Sequence, residues 1–231
     1  MRPPASVVEP ARKVEVTVST TAIGGSYATL AELHAWLKVP DAKTDRDAEW
    51  TRRLSSSSRD IERWCHRQFG RAESASVRTF VPGPSGVDVH DFWTTDDLSI
   101  VPYLGTTAGT PWDLSMVELE PLDGIVDQVP GWPYNRVCGG PDGHPLMTQL
   151  WYTATRVKVT AKWGWAAIPE NVNTACLILA AADNKAAETP FGVSAFGDYA
   201  VRIRSNPIAQ EKLDPYVYRG TAANAYLVDA R

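Results

Sequence analysis

Hydrophobic and polar positions change period along this chain, and the changes mark its elements. Val14, Val16 and Val18 alternate with Lys13, Glu15, Thr17 and Ser19, the period-two pattern of a short strand with one buried face. Pro3, Pro4 and Pro10 disfavour helix before it, and Ile23-Gly24-Gly25-Ser26 follows as a hinge. A strand ahead of a hinge either packs on its own domain or adds to a neighbouring subunit's sheet. From Thr29 the period becomes helical. Thr29 and Glu32 match the T-x-x-E capping box, Leu30, Leu33 and Leu37 recur beside Trp36, and Pro40 follows the stop. A second helix is predicted from Asp45 or Asp47 to about Phe69, with Trp50, Leu54, Ile61, Trp64, Cys65 and Phe69 as its apolar stripe and Gly70 at its end. The run Ser55 to Ser58 predicts an exposed face or a close helix contact, because serine is a mediocre helix former.

From Val77 the period falls to two. Val77, Thr79 and Val81 alternate, then Val87-Asp88-Val89, then Leu98-Ser99-Ile100-Val101, with Pro82, Gly83, Pro84 and Gly86 as turn residues between the first two runs. Pro102 to Leu150 has poor periodicity and reads as a long, poorly structured loop. Such a loop is expected in a compact domain only where it is functional or packs on a partner. A strand through Trp151, Thr153, Thr155, Val157, Val159 and Ala161 ends in Trp163-Gly164-Trp165. Ile168-Pro169-Glu170 opens a hydrophobic helix with proline at its favoured first position. Its apolar face is Val172, Ala175, Cys176, Leu179 and Ala182. Pro190-Phe191-Gly192 begins a hinge, and Asn206-Pro207 caps a short helix from Ile208 to Leu213.

These patterns predict an α+β chain: mainly a helical bundle of three to four helices, with a β-rich insertion and extended terminal arms. The expected division is an amino-terminal arm with a short strand (1–25), the first two bundle helices (26–76), the β-rich insertion (77–165), the remaining helices with a hinge segment (166–216), and a carboxy-terminal arm (217–231).

Composition narrows the function. At 231 residues, 44% hydrophobic and 22% charged, the chain is ordinary for a globular protein and long enough for a substantial core. Three widely spaced cysteines, Cys65, Cys138 and Cys176, fit neither a disulfide framework nor a CxxC zinc site. No apolar run is long enough to span a bilayer. The net charge of −4 is uneven: Val77 to Leu150 carries −8, leaving +4 on the rest. That distribution lacks the basic face of a nucleic-acid-binding domain.

Candidate chemistry is sparse. His34, His66, His90 and His144 show no metal-ligand spacing, and His90-Asp91 with Asp88 would point to opposite faces of a strand. Cys65 and His66 diverge on a helix, so a buried structural cysteine is expected. Cys138-Gly139-Gly140-Pro141-Asp142-Gly143 lacks the following helix that phosphate binding needs. No catalytic residue, cofactor site or metal site is therefore assigned, and the chain is not expected to be an enzyme. The tryptophans have two readings. Trp93, Trp112, Trp132 and Trp151 either stack on sugars, as in a carbohydrate-binding or tail-associated recognition module, or anchor a core or an interface. The second is favoured. The residues expected at an interface are Val14, Val16, Val18, Trp112, Trp132, Tyr199, Arg202, Arg204, Tyr216 and Tyr218.

Taken in order, the segments resemble the head-to-tail connector (adaptor) family of tailed phages. YATLAELHAWLKVPD followed by LSSSSRDIERWCHRQFG is similar to the family's opening helix pair. RTFVPGPSGVDV and DDLSIV resemble the β-hairpin that follows. VKVTAKWGWAAIPENVNTACLILAA resembles its most recognisable stretch, a strand ending in Trp-Gly, a proline and a hydrophobic helix, and PFGVSAFGDYAVRIRSNP resembles its late hinge and arm. The residues before Ser26 and those from Pro102 to Leu150 exceed the family's minimal pattern. The resemblance implies a structural virion protein at the head–tail junction, present in the host cytoplasm during assembly. It implies a ring, commonly a dodecamer, that binds the portal protein and a stopper or tail-completion protein. Packaged double-stranded DNA would pass through without specific binding, and no membrane would be involved.

Overall fold

A computed structural model describes residues 20–40, 44–83, 86–139, 153–188 and 206–220. The predicted residues Val14, Val16, Val18, Trp151, Tyr199, Arg202 and Arg204 lie outside this range, as does the late hinge. Helix α1 (Leu30–Leu37) begins at the predicted capping box: the Thr29 side chain accepts from the Glu32 N–H, and the Glu32 carboxylate accepts from the Thr29 N–H at 2.6 Å. Helix α2 (Asp47–Cys65) stops earlier than its apolar stripe suggests, because His66 takes a left-handed conformation at φ 53°. Helix α3 (Glu170–Glu188) and helix α4 (Pro207–Leu213), capped by the Asn206 side chain on the Ala209 N–H, follow as expected.

The strands are β1 (Ser76–Phe80), β2 (Gly86–Leu104), β3 (Thr107–Ala108), β4 (Val117–Glu120), β5 (Ile125–Val126), β6 (Val129–Pro130), β7 (Tyr134–Gly139) and β8 (Arg156–Trp163). Six form one antiparallel sheet in the order β1-β8-β2-β7-β4, with β3 on the far end of β2, while β5 and β6 form a separate hairpin. This overturns the expectation of a mainly helical bundle with a β-rich insertion. The sheet is a layer in its own right, with Val87, Phe92, Ile100, Val137, Val157, Val159, Ala161 and Trp163 as its core. Its central strands come from opposite ends of the supposed insertion, so that span closes on itself.

The span from Pro102 onward is also not the structureless loop its pattern predicts. Within the described residues it supplies β3 to β7 in pieces of two to six residues, too short to display a period. Strand β2 misled differently. Its first part, Gly86 to Phe92, pairs with β7, and the rest pairs with β8, with register shifts after Asp88, Phe92 and Thr94. Each slip moves the apolar set to the other face, so one 19-residue strand reads as two.

The helices pack as a second layer around Leu33, Leu54, Ile61, Cys65, Val172, Ala175, Cys176, Leu179, Ala209 and Leu213. The serine run is a close helix contact: buried Ser58 accepts from the Tyr27 N–H and donates to the Leu54 carbonyl, 3.4 Å from Cys176 Sγ. Trp50 joins this core as expected, whereas Trp36 is 48% exposed. At the start of α2, Arg46 and Arg53 hold the Glu49 carboxyl down from 4.5 to about 2, and Arg53 also reaches Asp183 on α3 at 2.8 Å. A lowered carboxyl stabilises the fold above its unfolded pKa and loses that contribution as pH falls toward about 2. Glu49→Gln is therefore expected to lower the melting temperature near neutrality and to converge on the wild type in acid, as differential scanning fluorimetry across pH would show.

Candidate functional site

The two layers meet along a seam that opens as a cleft of about 720 Å³. Arg59, Glu62, Arg63 and His66 line one wall, at the spacing that puts them on one face of α2 and its cap. Arg67 and Gln68 follow. The facing wall is Arg78 from β1 with Val89, His90 and Asp91 from β2, and Gly164 and Tyr218 complete the lining.

At one end lies a buried ion pair. Arg67 Nη1 donates to Asp91 Oδ1 at 2.6 Å, Trp165 Nε1 donates to Asp91 Oδ2 at 2.9 Å, and both charged side chains are under 10% exposed. Burial pushes the Asp91 carboxyl up, and the Arg67 charge and the Trp165 N–H hold it back. The Arg67 guanidinium lies within 6 Å of the rings of Trp132, Trp165 and Tyr218, where cation–π attraction offsets part of its lost hydration. Tyr218 is tied down by its own N–H, which donates to the Cys65 carbonyl at 2.8 Å, and burial pushes its hydroxyl up to about 12.

The other end is more open. Arg78 Nη1 donates to His90 Nδ1 at 2.8 Å while its guanidinium sits 4.5 Å above the Trp163 ring. Burial, then the Arg78 charge, lowers the His90 pKa, which keeps the imidazole neutral. Among the described residues no carboxylate pairs with Arg78, and Arg63 pairs only with exposed Asp60. The cleft thus presents donors and positive charge over an aromatic and aliphatic floor. At the end of α2, outside the cleft lining, burial pushes the Cys65 thiol up to about 12, which keeps it protonated. Among the described residues, no three His, Cys, Asp or Glu side chains gather to hold a metal, and no helix is long and apolar enough to cross a membrane.

The structure brings three of the expected interface residues together, inside the chain. Trp132 stacks on Tyr216 at 5.3 Å and 14°, and both pack against Trp165; Tyr218 completes the group over Arg67. Trp112 lies apart, 8% exposed in the sheet core. Trp93 donates to the Ala72 carbonyl and carries Arg71 over its ring at 4.7 Å. Of the three described β-region tryptophans, Trp112 is thus buried, while half-buried Trp93 and Trp132 carry Arg71 and Tyr216 over their rings. Sequence reasoning missed Arg59, Arg63, Arg67 and Arg78 as a group. The spacing of 59, 63 and 66 along α2 was the available signal; Arg78 and His90 meet only through the fold.

No family model matches the chain, and no curated protein matches it. Among solved structures it is similar to a chain described as "Neck of empty GTA particle computed with C6 symmetry", at 15% identity and a TM-score of 0.48, over 88% of this chain and 96% of that one. A likeness of this size assigns neither a fold family nor a role.

Proposed function

We propose that the chain is a non-enzymatic structural adaptor at the head–tail junction of a tailed phage or phage-like particle. Copies form a ring that binds the portal on one side and a stopper or tail-completion protein on the other, leaving a channel for double-stranded DNA. The observation that carries this reading is the order of elements. The segments resembling the connector family fold as the helix pair α1–α2, the strands β1 and β2, which flank β8 instead of pairing with each other as the expected hairpin, then β8 ending at Trp163-Gly164 and leading through Pro169 into α3. The titratable groups Asp91 and His90 in the cleft are instead committed to neighbours, Asp91 to Arg67 and Trp165, His90 to Arg78. A net charge of −4 suits a conduit that must not grip phosphates.

Mixing the purified chain with the portal protein of its source genome tests the proposal. Light scattering is expected to show one complex whose mass exceeds that of the portal by many copies of the chain. Two unchanged species would overturn the assignment.

A further inference from the structure

We propose that the arginine-lined cleft of one copy receives the β5–β6 hairpin and adjoining edge of a second copy, an acidic, apolar stretch within Leu114–Pro130 termed the projection, and that this contact joins neighbours in the ring. The inference rests on the ring reading above and names the surfaces that make it.

Four of the exposed large apolar side chains fall in that one projection: Leu114 (39%), Leu122 (57%), Ile125 (47%) and Val129 (56%). Exposed apolar side chains concentrated in one stretch, with Ile125 and Val129 on the two strands of the β5–β6 hairpin, mark an interaction surface. Asp113, Asp123 and Asp127 are exposed around them, and among the described residues neither Asp123 nor Asp127 has an ion-pair partner. The composition is that of an interface patch, an apolar centre with a charged rim of one sign.

The cleft supplies the complement. Four arginines line it against two carboxylates, Glu62 and Asp91, and Asp91 is already spent on Arg67. Arg78 has no carboxylate partner among the described residues and Arg63 holds only the exposed Asp60, so both can meet carboxylates, while Val89 and Tyr218 add apolar surface to the lining. Opposite charge fixes orientation and suppresses wrong pairings. Because cleft and projection are different surfaces, each copy gives one and takes one. Such a heterologous contact generates a ring when its rotation closes. A second copy is the occupant the charges favour, since Leu114–Pro130 holds Glu118, Glu120, Asp123 and Asp127 with no Lys or Arg, while four arginines line the cleft against two carboxylates.

Sedimentation velocity of the full chain tests this. Arg63→Glu breaks the cleft at a side chain 79% exposed, where misfolding is not expected; Arg63→Glu with Arg78→Gln is the stronger form. Leu122→Ser with Asp127→Asn breaks the projection. Circular dichroism melts verify that each variant is folded. The wild type is expected to self-associate, less so at high salt. Each variant should associate at least about tenfold more weakly. An equimolar mixture of the cleft and projection variants should form heterodimers and nothing larger, since each retains one intact surface. Variants that assemble like the wild type would overturn the inference and leave the ring reading standing on other surfaces. A mixture that stays monomeric while the wild type assembles would overturn the pairing of these two surfaces. A wild type that stays monomeric at every concentration and salt would overturn both the inference and self-assembly of the ring.

Discussion

Asp91→Ala is expected to lower the stability of the chain by about 3–5 kcal/mol, because it leaves a buried guanidinium without its counter-charge. Arg67 sits under 10% exposed, with Asp91 as its carboxylate at 2.6 Å and aromatic rings around it. Removing the carboxylate also orphans the Trp165 N–H, which donates to its other oxygen at 2.9 Å. The loss is large beside the roughly 5–15 kcal/mol that a typical domain has in total. Urea unfolding reads it directly: the midpoint should fall while the slope holds. Asp91→Leu with Arg67→Met should recover much of the loss, since apolar replacement of a whole buried pair is often neutral. A single substitution costing under about 1 kcal/mol would mean that Arg67 finds water or another acceptor, contrary to this account.

Gly164→Ala is expected to be of similar size. Gly164 sits at φ +99°, and a Cβ there would lie 1.8 Å from the Gly70 carbonyl oxygen, a backbone atom that cannot turn aside. The crossing is held on every side: the Gly164 N–H donates to the Asp91 carbonyl, the Ala72 N–H to the Trp163 carbonyl, and the Arg71 N–H to the Thr21 carbonyl. Backbone strain of about 1–2 kcal/mol and overpacking of about 1–3 kcal/mol add to a loss of about 2–5 kcal/mol. Thermal melts of the two proteins side by side check it. An unshifted melting temperature would mean that the strand end and the exit of α2 do not cross as described.

Both predictions concern the seam, and the seam is the part the sequence hid. The helices were legible because their signals are local: the Thr29–Glu32 box, Pro169 at a helix start, and Asn206 before Pro207 each act within four residues. Their termination was less so, since His66 ends α2 by adopting a left-handed conformation that no residue type announced. The sheet was visible only in fragments. Short strands after Pro102 carry no period, and the bulges in β2 change which face is apolar partway along, so a continuous layer looked like an insertion on a bundle. The candidate site was the least legible. Arg67 and Asp91 stand 24 residues apart and Trp132 and Tyr216 still farther, and only the docking of the two layers brings them together. Trp132, Tyr216 and Tyr218, which the sequence offers as interface residues, pack within the chain beside Trp165 and Arg67.

The central claim is that this chain works as a ring-forming adaptor. Electron microscopy of the full chain mixed with the portal protein of its source genome tests it most directly. The account predicts closed rings of the chain stacked coaxially on one face of the portal, with an open axial channel. Portal particles with a bare face, beside free single copies of the chain, would contradict it.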